Sequence, residues 1–225
     1  LYYIAAFFAI ATQAVWSAGH LTGDRLGTAV LIYTAFGLVS LGVPVAARRA
    51  GRALAPAWGS GAVLLLGLCL LFFLSLGSVS PAALWALALL LAIANAALFV
   101  ESAAGRLPLV SQIGSVLSWL ILMSWWARSA GSVGVLPSLL VVVGLTLVTL
   151  AGHSWSVRRT GAGPTAATPF ARGLYLGLIG HLFLAMLATD RAWSLPPWPI
   201  FAALAVMTLA TSAAALWSRV ATSSC

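Results

Sequence analysis

From Pro137 to Ser156 the chain reads PSLLVVVGLTLVTLAGHSWS, twenty residues without an Asp, Glu, Lys or Arg. At ~1.5 Å per residue a helix of that length spans about 30 Å, the thickness of a bilayer's hydrocarbon core. Working outward, seven further stretches read the same way: residues 1–20, 28–47, 57–77, 81–100, 107–127, 171–189 and 199–218. Only short polar gaps separate them. The whole chain is 62% hydrophobic and 6% charged, with a mean hydropathy of +1.08, against a globular norm of about 25% charged. A soluble domain of 225 residues has no single core large enough to hide that much apolar surface. The reading is all-α: a polytopic integral membrane protein with about eight transmembrane helices in four up-and-down hairpins.

Arginine placement orients the helices. Counting gaps by the helix they follow, the even-numbered gaps and the C-terminal end carry Arg48, Arg49, Arg52, Arg106, Arg158, Arg159, Arg172 and Arg219. The odd-numbered gaps carry Arg25, Arg128 and Arg191. Basic residues concentrate on the cytoplasmic side of membrane proteins, so both ends of the chain are expected in the cytoplasm. The expected location is a bacterial cytoplasmic membrane. A pI near 11.1 does not signal nucleic-acid binding here. The arginines are dispersed at helix ends rather than gathered in a stripe, and anionic lipid headgroups account for them. The stretch beginning at Leu1 has no basic leader and no small-residue cleavage site after it, so it reads as a span rather than a signal peptide. The chain is accordingly expected to be processed, or a piece of something longer.

A unit of about 50–60 residues recurs. Three of the four returning helices are expected to start at a proline, Pro81, Pro137 and Pro199, tolerated in a first turn because the missing N–H would have had no helical partner. Phe99, Trp155 and Trp217 stand eighteen residues later in each, about 27 Å further along, where a ring is expected at the cytoplasmic interface. Thr146-Leu147-Val148-Thr149 aligns with Thr208-Leu209-Ala210-Thr211, and Trp155-Ser156 with Trp217-Ser218, at one constant offset. Duplication of a helical hairpin explains the shared offset, and the units run in the same direction. Residues 1–225 read as one transmembrane domain. A possible subdivision is six helices in 1–160, a Gly/Pro/Thr linker at 161–170 and a final hairpin in 171–225.

Polar residues at bilayer depth are costly and therefore informative. Gln13, Asn95 and His181 qualify as a candidate intramembrane polar site, and each lies on a stripe of small side chains. Ala5, Ala9 and Thr12 flank Gln13; Ala88 and Ala92 lead to Asn95; Gly173, Gly177 and Gly180 lead to His181. Small stripes let helices approach closely, so these residues are expected to face other helices. Interhelical hydrogen bonding, worth ~0.6 kcal/mol on average, is their simple role. A solute or proton path is the sharper one, with His181 as its best single residue. Glu101 and Arg106 form a candidate interfacial pair. Asp24-Arg25 and Asp190-Arg191 read as turn and capping groups.

Haem is disfavoured, because His20, His153 and His181 fall at different depths, whereas axial ligation needs two side chains converging on one iron. No cofactor and no metal site is expected. Cys69 and Cys225 are isolated and give neither a metal set nor a disulfide framework. Phosphate-binding glycine loops, HExxH and GxSxG are absent, and the acids number three in the whole chain, which argues against an enzyme.

Several segments resemble a known family. They are Ala5-Ala6-Phe7-Phe8, Gln13-Ala14-Val15-Trp16-Ser17, His20-Leu21-Thr22, Gly105-Arg106-Leu107-Pro108-Leu109, Arg172-Gly173-Leu174-Tyr175-Leu176 and Pro196-Pro197-Trp198-Pro199. Together they are similar to the bacterial polytopic membrane proteins catalogued as domain of unknown function 2339. The resemblance implies a part of a larger many-helix protein and supplies no activity, cofactor or catalytic residue to carry over. The expected function is therefore a structural or interaction module. Its partners are membrane lipids and other membrane protein subunits, or further helices of a longer chain. The alternative is a transporter or channel for a small solute or lipid.

Overall fold

The structure is a computed structural model that describes residues 2–20, 26–52, 54–56, 58–75, 84–129, 134–160, 172–189 and 196–223. Among these there is no strand. The helices are α1 (Tyr2–His20), α2 (Leu26–Arg49), α3 (Gly59–Ser75), α4 (Leu84–Gly105), α5 (Pro108–Ser129) and α6 (Val135–Arg159). They are followed by a 3₁₀ segment (Gly173–Leu178) that leads into α7 (Ile179–Ala188), and then by α8 (Trp198–Ser223). Among the described residues five stretches are long and apolar enough to cross a membrane: Leu31–Arg49, Leu84–Gly105, Pro108–Arg128, Val135–Arg159 and Trp198–Trp217. Tyr2–Ser17, Gly59–Phe72 and Gly173–Ala188 are shorter apolar helices. The expected helix start at Pro81, the 161–170 linker and the pairs Asp24-Arg25 and Asp190-Arg191 lie outside the described residues.

Which ends meet fixes the helix directions. Tyr3 Oη lies 3.2 Å from Ser60 Oγ, so α1 and α3 begin side by side. Arg48 reaches Glu101 near the ends of α2 and α4. The Arg158 guanidinium sits 4.2 Å from the centre of the Trp217 ring, near the ends of α6 and α8. Each of these pairs therefore runs parallel. Between α4 and α5 the reversal is tight: Arg106 takes a left-handed φ of 54°, the Leu107 N–H bonds the Ser102 carbonyl at 3.0 Å, and Pro108 opens the next helix.

Polarity is distributed the reverse of a soluble fold. Phe8, Leu31 and Leu209 are 62%, 73% and 70% exposed, whereas Asn95 and His153 are 0% and 1%. The apolar core runs through Leu68, Leu91, Leu98, Trp119, Trp125 and Phe183. Large apolar side chains outside and amides, hydroxyls and an imidazole inside is the arrangement expected where the solvent is hydrocarbon.

Two local features have identifiable causes. First, α2 runs unbroken through Pro44 to Arg49. A proline inside a helix leaves the carbonyl four residues back without its N–H partner. That carbonyl is Ser40's, and it accepts the Tyr2 phenol at 2.9 Å, so α1 supplies the missing bond. Second, the expected helix 171–189 opens as 3₁₀ turns. There Gly173 lies against the His153 ring and Gly177 against Leu150, and any side chain at either would run into α6. Phe99 is 3% exposed and packs edge-on against His153, with ring centres 4.8 Å apart.

Candidate functional site

On α5 a serine recurs at Ser111, Ser115 and Ser118, spacings of four and three that place all three on one helix face. All are buried. On α4 the matching face carries Asn95 and Ser102, two turns apart, and α6 contributes His153. These side chains form a polar seam between α4, α5 and α6.

Asn95 lies at the middle of the seam, and at mid-length of α4. Its Nδ2 donates to the Leu91 carbonyl at 2.8 Å and to Ser118 Oγ at 2.7 Å, while Ser118 Oγ donates to the Gly114 carbonyl. Ser115 Oγ donates to Asn95 Oδ1 at 3.4 Å and lies 3.3 Å from His153 Nε2. With its single proton given to Asn95, the Ser115 hydroxyl accepts from His153 Nε2–H. The buried Nδ1, which has no hydrogen-bond partner, then carries a lone pair rather than a proton. Further along, Ser102 Oγ donates to the Leu107 carbonyl at 2.8 Å and lies 3.0 Å from Ser111 Oγ. Beyond them Arg48 grips Glu101 with both guanidinium nitrogens, Nη1 to Oε2 at 2.9 Å and Nη2 to Oε1.

The residues singled out from sequence are not gathered into one place. Asn95 belongs to the seam. His181 is on α7, where its Nε2 lies 3.4 Å from Thr208 Oγ1 of α8. Gln13 is on α1, facing a crevice among α1–α4. The candidate pair Glu101–Arg106 is corrected: the carboxylate is held by Arg48, because parallel packing of α2 and α4 brings Arg48 level with it, while Arg106 is exposed in its left-handed turn. His20 is exposed and stacks on Trp16 at 6.0 Å. Cys69 is free and exposed, and Cys225 lies outside the described residues. Among the described residues no three His, Cys, Asp or Glu side chains cluster as metal ligands.

Sequence reasoning passed over His153, taking it only as a haem candidate near a helix end. The serine spacing on α5 is the signal that would have drawn attention to it, since a polar stripe inside an apolar span needs partners on its neighbours.

Two crevices among the described residues are lined by other side chains than the seam's central hydroxyls. One, of about 660 Å³, is lined by α1–α4. The other, about 510 Å³, lies between α4 and α6 and is lined by Trp85, Ala88, Leu91, Ala92, Leu140, Val141, Gly144, Leu145 and Val148. Apart from His153 Nδ1, the seam's donors and acceptors are spent on one another or on nearby backbone carbonyls, and the bonds between side chains tie three helices together. Asn95→Ala is accordingly expected to lower stability in detergent by about 1–2 kcal/mol, two interhelical bonds' worth. Gln13→Ala, which breaks no protein hydrogen bond to its amide Nε2, is expected to cost clearly less in the same unfolding titration.

Comparison with family models, with curated proteins and with solved structures returned no match. What the fold defines is an all-helical protein with apolar helices of membrane-crossing length and a polar interior seam.

Proposed function

We propose that this chain crosses a bacterial cytoplasmic membrane eight times, in four up-and-down hairpins with both ends in the cytoplasm. In that setting it serves as a helical subunit that assembles with other membrane proteins or with further helices of a larger one. The observation that carries the reading is the closed seam: its buried amide, imidazole and hydroxyls bond across helices rather than face open space. Groups used in that way rigidify a framework. The exterior they support is a broad apolar surface suited to lipid and to neighbouring helices. Parallel packing of α1 with α3, α2 with α4 and α6 with α8 supports the hairpin order, and the eight-to-three arginine asymmetry supports the orientation. Membership in the family the sequence resembles is proposed in the same sense, as a helical part of a larger membrane protein. A solute path would need polar-lined space at mid-depth, and the two crevices described among these residues are predominantly apolar.

Two measurements test this. Purified in mild detergent, the chain is expected to run as a complex larger than its own 23.2 kDa. In sealed liposomes it is expected to add no proton or solute leak. A strict monomer with no associated protein overturns the assembly reading, and a flux abolished by Asn95→Ala replaces it with the transport reading. Orientation is tested separately with single cysteines. Arg159→Cys is expected to react with a membrane-impermeant maleimide only from the cytoplasmic face, and Gly134→Cys only from the opposite face.

A further inference from the structure

The end of α6 carries Arg158 and Arg159 side by side, both exposed. From Val135 to Arg158 the helix is ~35 Å long, so Arg158 stands just past the roughly 30 Å hydrocarbon core, at headgroup level. Its guanidinium lies against Trp217 of α8, 4.2 Å from the ring centre, and that indole is itself 53% exposed. Contact with a ring fixes the guanidinium without spending its N–H donors on an oxygen acceptor. No carboxylate takes those donors. Glu101 is held by Arg48, the one ion pair among the described residues. Asp24 and Asp190, the other two acids of the chain, belong by sequence to the gaps on the opposite side.

Towards the bilayer interior the same face of α6 turns apolar. Leu147, Ala151 and Trp155 recur at spacings of four and all are exposed. Arg158 and Arg159 follow Trp155 by three and four residues, so they continue that stripe. From Arg159 back to Leu147 is ~18 Å of helix, about the depth of one leaflet. The face therefore presents charge at headgroup level, an amphipathic ring beneath it and apolar surface below that. These three levels match a lipid with a negative headgroup. A soluble anion meets only the first of them. A zwitterionic headgroup would bring an ammonium to a pair of arginines that already lacks a counter-charge.

From these we infer that the ends of α6 and α8 form a binding site for an anionic phospholipid. Its phosphate accepts from Arg158 and Arg159, with Arg158 positioned by Trp217, and an acyl chain lies along Trp155, Ala151 and Leu147. Such a site holds one lipid at a fixed place, beyond the general attraction of dispersed arginines to a charged membrane. It rests on the reading that α6 and α8 cross the bilayer.

The test uses the full chain in an uncharged detergent, titrated with dioleoylphosphatidylglycerol and separately with dioleoylphosphatidylcholine, with bound lipid counted by native mass spectrometry. Saturable binding of phosphatidylglycerol is expected, about tenfold tighter than phosphatidylcholine. Arg158→Gln is expected to weaken it about tenfold. Trp217→Leu leaves the charge unchanged and is expected to weaken it about threefold. Arg52→Gln removes the same charge beyond the end of α2, a helix that packs on α3 and α4, and is expected to bind as the parent does. Thermal unfolding of each variant in the same detergent separates lost binding from lost fold. Equal weakening by Arg52→Gln and Arg158→Gln shows diffuse attraction and overturns the site. Undiminished binding by a folded Trp217→Leu chain, or equal affinity for phosphatidylcholine, overturns it as well. Glycerol phosphate that displaces the lipid at matched concentration overturns the lipid assignment in favour of a free phosphate. A chain that alkaline carbonate strips from vesicles overturns the bilayer reading and this proposal with it. A carbonate-resistant chain without preference for phosphatidylglycerol overturns this proposal alone.

Discussion

Arg48→Ala is expected to lower the unfolding free energy in detergent by about 3 kcal/mol, and adding Glu101→Gln to the same chain is expected to recover most of the loss. The asymmetry follows from where the two charges sit. The Glu101 side chain is 3% exposed and the Arg48 side chain 32%. Removing the arginine strands a carboxylate between helices, away from water, which is the costly way to break a buried pair. The lower end of the usual range applies because the partly exposed guanidinium was only half withdrawn from solvent. Neutralising the acid instead leaves an arginine whose long stem lets its head reach the interface, so Glu101→Gln alone is expected to cost no more than about 1 kcal/mol. Arg48→Lys keeps the charge but gives up the two-pronged grip, and should fall between these values. Arg49 and Arg52 remain in every variant, so the orientation is expected to hold. The readout is reversible unfolding of the four variants in one detergent. Equal losses for Arg48→Ala and Glu101→Gln would mean that attraction between the charges, not the burial of one of them, sets the energy.

How much of this was legible in the sequence depends on the range of the interaction. Each stretch read as a helix overlaps one among the described residues, because an apolar run bounded by glycine, proline or arginine is a local signal. The stretch at 137–156 lies inside Val135–Arg159, and 199–218 inside Trp198–Ser223. The small-residue stripe of residues 173–180 was also legible as a close-approach face. Its glycines meet His153, Leu150 and Thr146, all on α6. What the pattern did not disclose was the partner of each face. Glu101 was paired with a residue five positions away, whereas its true partner is 53 positions away. Sequence proximity favours the first, and parallel packing of α2 on α4 decides for the second. His153 escaped notice for the same reason: its importance lies in Ser115, 38 positions away on another helix.

Gly180→Leu is expected to be the most damaging single change in the α7 region, lowering stability by about 3 kcal/mol or preventing assembly of the last helices altogether. Gly180 sits where α7 meets three others at once. A Cβ there would run into Thr146 Oγ1 of α6, would come within 2.9 Å of Met207 Cε of α8 and would stand 3.2 Å from Trp119 Cη2 of α5. Only the methionine has the freedom to withdraw. Thr146 is β-branched and its hydroxyl is bonded to the Val142 carbonyl at 2.8 Å, so its rotation is restricted. Trp119 is 1% exposed and packs against Phe183. Interiors this dense absorb added volume by shifting backbone rather than by local give. Moving α7 away from α6 would also loosen Gly173 from His153 and Gly177 from Leu150, because all three glycines lie on the same contact line. Gly144→Leu is the matched control, since a side chain there enters open space, and it is expected to change stability by less than about 1 kcal/mol. Thermal unfolding and limited proteolysis after residue 160 report the difference. A Gly180→Leu chain as stable as Gly144→Leu would mean that α7 does not pack on α6 along its glycine face.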